Sequence, residues 1–145
     1  KQMSNTGLRQ FDETLHLTNT WLKEIMAEMD WQERHYAYQA LRSTLHALRD
    51  RITVIEGAHL AAQLPLMVKG IFYDGWSPSR CGGNDRSLAT FLAPVTDAFD
   101  KHPDVDAVDI ARAVVRVLHR HVSDGEMQDV MQGLPEPIRL AVSDG

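Results

Sequence analysis

The residue types in this chain best suited to chemistry are its histidines, its single cysteine and two short basic runs, Arg49-Asp50-Arg51 and His119-Arg120-His121. A metal site needs imidazoles that converge on one point. His119 and His121 are two positions apart, so on a helix they point about 200° away from each other and do not chelate together. His46 and His59 belong to separate helical patterns, and neither a His-Glu-x-x-His nor a Cys-x-x-Cys spacing occurs. No metal and no other cofactor is expected. Cys81 lies in a polar, Gly-rich stretch with no adjacent base to hold it as a thiolate, so it reads as exposed and unreactive. No phosphate-cradling glycine loop, nucleophile elbow or paired-carboxylate spacing stands out. An enzyme is therefore the least favoured class, since it would need polar groups with perturbed pKa values converging in a cleft.

Two features suit recognition instead. Arg49 and Arg51 fall near the end of a helical pattern, where cations complement the helix dipole. That helix-end charge is enough to account for them. The competing reading is an anion or carboxylate site using the guanidinium fork. Ile71, Phe72, Tyr73 and Trp76 form an apolar and aromatic cluster beside Gly70 and Gly75. It reads as a plug folded back over an open end of the protein, or as a patch for a partner or ligand. Arg49, Arg51, Tyr73 and Trp76 are the candidate interaction surface.

The elements that must position these residues are helices. Phe11, Leu15, Leu22, Ile25, Met26 and Met29 recur at helical spacing, and Asp30-Trp31 closes the first pattern. Tyr36, Ala37, Ala40, Leu41, Leu45, Leu48 and Ile52 mark a second, longer helix, with Arg49 and Asp50 on its outer face. Thr53-x-x-Glu56 has the capping-box form and opens a third helix through Leu64, in which Gly57 costs about 1 kcal/mol relative to alanine. Pro65 suits a first helical position, followed by a segment to about Tyr73.

The stretch Leu48 to Pro65, LRDRITVIEGAHLAAQLP, returns as LHRHVSDGEMQDVMQGLP from Leu118 to Pro135. Both 118 − 48 and 135 − 65 equal 70, and the ungapped register extends over about 45 residues. Ser87 opens a fifth helix through Leu88, Phe91, Leu92, Val95 and Phe99, in which Pro94 predicts a kink or a delayed start. Asp104 and Asp106 suit the start of a sixth, Ser123-x-x-Glu126 caps a seventh, and Pro135 opens a short last segment. Five of the six methionines, Met26, Met29, Met67, Met127 and Met131, read mostly as core filling.

The expected fold is all-α, a helical bundle of two pseudo-repeated units of about four helices each. The chain is expected to be one domain over 1–145, with halves 11–74 and 87–142 joined by a Gly/Pro/Ser-rich connector, 74–86. With 145 residues it can bury a proper core, and 43 % hydrophobic with 24 % charged residues is a globular balance. A net charge of −5 disfavours a nucleic-acid binder, which usually carries a basic stripe. No apolar run is long enough for a membrane span, so a soluble cytoplasmic protein is expected. Met3 reads as a starting methionine, and 1–3 are left out of the fold.

FDETLHLTNTWLKEI, AYQALRSTLHALRDRITVIEGAHLAAQLPLMVKGIFYDGW and the later FLAPV resemble an uncharacterised bacterial family, the domain of unknown function numbered 2267. The similarity is densest from Ala37 to Trp76 and departs at Gly57 and Pro94. The resemblance implies a helical domain and transfers no catalytic residue. The function expected is a non-catalytic protein-interaction module, with a homodimer as one form of association. The alternative is a small-molecule binder with an apolar pocket between the two halves.

Overall fold

The computed structural model describes residues 6–143; Met3 and the end of the Ser143-Asp144-Gly145 tail lie outside them. The elements are α1 (Arg9–Met29), α2 (Arg34–Arg51), α3 (Val54–Ala61), α4 (Leu66–Tyr73), α5 (Leu88–Ala98), α6 (Ala107–His121), α7 (Asp124–Gln132) and α8 (Glu136–Val142). A single three-residue helical turn, Pro78–Arg80, interrupts the connector. The fold is all-α, a helical bundle.

Local signals account for most helix ends. Asp30 adopts the left-handed conformation (φ 54°) that stops α1, which aspartate tolerates better than most residues. Thr53 opens α3 with a complete capping box. Its Oγ1 accepts the Glu56 amide at 3.1 Å, and Glu56 Oε1 accepts the Thr53 amide at 2.9 Å. The second box differs from expectation. Ser123 Oγ accepts the Glu126 amide at 3.2 Å, but the Ser123 amide donates to Gln63 Oε1 at 2.8 Å. Gln63 Nε2 donates back to Ser123 Oγ at 3.1 Å, so a side chain following α3 does what Glu126 was expected to do. Pro65 is the residue before α4 and not its first helical position. It has no side-chain acceptor, and Thr14 Oγ1 of α1 caps the Met67 amide across space at 2.8 Å. Pro94 neither delays nor ends α5, which starts directly after the Ser87 cap and runs through it. Buried Phe91, Leu92 and Val95 supply packing that offsets the missing backbone bond.

One continuous core takes side chains from all eight helices. Trp21 and Ile25 of α1 meet Leu41, Leu45 and Leu48 of α2, with Leu60, Phe72, Val95, Val114, Met127 and Ile138 completing it. Helix α2 is the central strut, packed against α1, α4, α5 and α6. The starts of α3 and α7 and of α4 and α8 differ by 70 residues (124 − 54 and 136 − 66), as do the ends of α2 and α6 (121 − 51). The first helices depart from this offset, since α1 has 21 residues and α5 has 11.

Candidate functional site

Helix α4 is apolar on two faces. Val68 and Phe72 point into the core, whereas Leu66 and Met67 stand exposed on a second face, where Ile71 is partly buried against the core's edge. That second face, with Phe11 and Leu15 of α1, walls an open cleft of about 550 Å³. Gly70 lines the same cleft, and a Cβ added there would meet nothing within 4 Å. Without that side chain the middle of the cleft stays open. Thr14 marks the end near the start of α4. The other end holds Tyr38, Arg42 and Asp74, with Arg42 Nη1 donating to Asp74 Oδ2 at 2.7 Å. This hydrogen bond raises the Arg42 pKa above its ordinary value. Phe11 is 51 % exposed and Leu66 60 %, so the cleft leaves real apolar surface in water. Phe11, Leu15 and Met67 continue the core stripe in the sequence, but the core stops short of them because, among the described residues, no element covers this face of α1 and α4. A sequence signal was present: a second three-to-four spacing through Met67, Gly70, Ile71 and Asp74, on a helix whose core face is already supplied by Val68 and Phe72.

The expected surface residues are placed quite differently from one another. Arg49 is not on the outer edge of α2. It is 4 % exposed, and its Nη1 donates to the carbonyls of Phe72 at 3.0 Å and Asp74 at 2.8 Å, while Nε meets Asp50 Oδ1 at 2.9 Å. These are carbonyls at the C-terminal end of α4, which the guanidinium satisfies. Arg51 is partly buried; its Nη1 donates to the Gly83 carbonyl at 2.8 Å, and its Nε is buried without a partner. Tyr73 and Trp76 are half-buried and meet edge-on, with ring centres 5.2 Å apart. The Trp76 indole donates to Cys81 Sγ at 3.1 Å, and Cys81 in turn reaches the Arg49 carbonyl at 3.5 Å. Cys81 is therefore partly buried and engaged, contrary to its expected exposure. Through these contacts the connector folds back on the C-terminal end of α2.

The second basic run serves another purpose. Arg120 pairs with Glu24 and Glu28 of α1, Arg116 with Glu28, and His121 with Glu24 while stacking on Trp21. It fastens α6 to α1. His46 Nε2 lies 2.8 Å from the Ile71 carbonyl, and burial pushes its pKa below the ordinary histidine value. The expected pocket between the halves is not where the apolar cleft lies: that cleft is walled by α1, α2 and α4 with the flanking Thr6 and Asp74, all in the first half. A smaller depression of about 240 Å³ does sit between α3 and α7, but it is polar, lined by Glu56, His59, Glu126 and Asp129. Burial, and then the neighbouring Asp129 charge, raises the Glu126 pKa there. Among the described residues no group of histidine, cysteine, aspartate and glutamate side chains has metal-binding geometry. No described helix is long and apolar enough to cross a membrane.

Fold and cleft together define an all-helical bundle with an open apolar cleft on its first half. The chain belongs to the family described as uncharacterized conserved protein, DUF2267, whose model matches residues 18–141. A search of curated proteins returns no match.

Proposed function

We propose that this protein is a cytoplasmic, non-catalytic binding module whose recognition site is the α1–α2–α4 cleft, and that its guest is an apolar small molecule. The cleft itself carries the reading. Its volume of about 550 Å³ lies within the range of ligand sites, and its walls combine apolar side chains with Tyr38, Arg42 and Asp74 at one end and the neutral hydroxyls of Thr6 and Thr14 elsewhere. Duplication of an ancestral unit accounts for the offset of 70 between the halves. Because the cleft belongs to the first half only, recognition rests on features the second half lacks: Glu136 stands where Leu66 does, and Leu140 where Gly70 does.

The test is titration with a neutral apolar fluorophore, N-phenylnaphthylamine, against wild type and Gly70→Leu. The leucine fills the cleft without meeting another atom at its Cβ, so the fold survives the change. Saturable binding by wild type and its loss in the variant are expected. Equal binding by both proteins would move the site elsewhere.

Association through Arg51, Tyr73 and Trp76 is the second reading, favoured by the partial exposure that these three side chains keep. Their contacts within the connector support the plug role more strongly.

A further inference from the structure

We infer that the cleft takes an amphipathic monocarboxylic acid, with its carboxylate on Arg42 and its chain lying along the outer face of α4. The inference rests on the cleft being the binding site. It follows from how polarity is distributed there. Besides Tyr38, the titratable side chains lining the cleft are Arg42 and Asp74, both at the end where α4 finishes. From that end to Leu66 the α4 wall is apolar, over about 12 Å of helix at the usual rise per residue, and the remaining polar lining is the uncharged hydroxyls of Thr6 and Thr14. A guest complementary to this surface has one polar head and one apolar chain.

The charge of the head follows from the relative depth of the two ionic groups. Asp74 is 64 % exposed and Arg42 33 %, so the cation is set further into the wall and the anion stands in water. A guanidinium offers five donors in a planar fork; the Asp74 contact engages Nη1 and the Tyr38 hydroxyl takes up at most one more donor. A second carboxylate can therefore dock on the remaining donors without displacing Asp74. An ammonium head would have only the solvated Asp74 to meet, and would stand against the Arg42 charge.

The experiment is calorimetric titration of the full chain with decanoate and with decanol, each below the concentration at which it aggregates. Wild type, Arg42→Met, Asp74→Asn and Gly70→Leu are compared. Decanoate is expected to bind wild type about tenfold more tightly than decanol, the scale of one hydrogen bond to a charged group. Arg42→Met removes that preference, whereas Asp74→Asn, by relieving repulsion, strengthens decanoate binding several-fold. Both variants break the same ion pair, so a purely structural role would move them in the same direction. Gly70→Leu abolishes binding of both compounds. If acid and alcohol bind alike and both are lost in Gly70→Leu, the carboxylate inference falls and the cleft reading stands. If neither compound binds, or if Gly70→Leu changes nothing, both fall.

Discussion

Replacing Arg49 by methionine separates an interior role for this residue from a surface one. Methionine keeps most of the unbranched stem and its packing while deleting the guanidinium. Two carbonyls then lose their donor: Phe72 O, which is buried, and Asp74 O, which is partly buried. Leaving such a group unsatisfied costs about 1–3 kcal/mol, with the lower values for sites that water can reach. Asp50 also loses its partner, but its side chain is 30 % exposed and rehydrates. The expected loss is about 2–4 kcal/mol, a large part of the stability of an ordinary domain. Urea unfolding followed by far-UV circular dichroism measures it, with the slope of the transition unchanged. Arg42→Met is the internal comparison. Its ion pair with Asp74 is far more exposed, and its loss should cost less than about 1 kcal/mol. An Arg49→Met loss below about 1 kcal/mol would refute the clamp. Sedimentation velocity on the same variant adds a second readout, since altered association with unaltered stability would restore the surface role.

Two smaller changes probe the same end of the molecule. The His46 pKa is lowered, chiefly by burial, with the Arg49 and Arg42 charges adding to the effect and the Ile71 carbonyl and Asp50 opposing it. The unfolded chain therefore takes up a proton first, near pH 6.5, and stability falls as pH drops from there toward the lower folded value. His46→Gln should remove that part of the pH dependence, seen as converging urea midpoints at pH 7.5 and 5.5, and an unchanged slope would count against it. Gly57→Ala should stabilise α3 by about 0.5–1 kcal/mol. The new methyl would lie 3.8 Å from the Phe72 ring, ordinary contact distance, so a lower thermal midpoint would contradict the packing described.

The helices were legible because the signals that make them are local. Asp30 stops α1, Thr53 and Glu56 cap α3, and Ser87 starts α5, each through bonds to backbone three or four residues away. The cleft was harder to read. Phe11 and Leu15 continue the same periodic stripe as buried Trp21, Leu22 and Ile25, and periodicity carries no information about where the covering partner ends. Pro94 shows the opposite case: its local penalty is real, but the Ser87 cap sets the start of α5 and packing holds the helix through the proline.

What the sequence determined by itself is therefore the set of helices, the local caps at Thr53 and Ser87, the spacing of 70 and the family to which the chain belongs. Tertiary structure decided the partners of the polar side chains. Arg49 finds carbonyls 23 and 25 residues on, Gln63 caps a helix 60 residues away, and His121 meets Glu24 across 97. A helix-end arginine has the same sequence signature whether its charge ends in water or on a neighbouring backbone. Only the packing of α4 against α2 drew Arg49 inward, and the same packing left the other face of α4 open as the cleft.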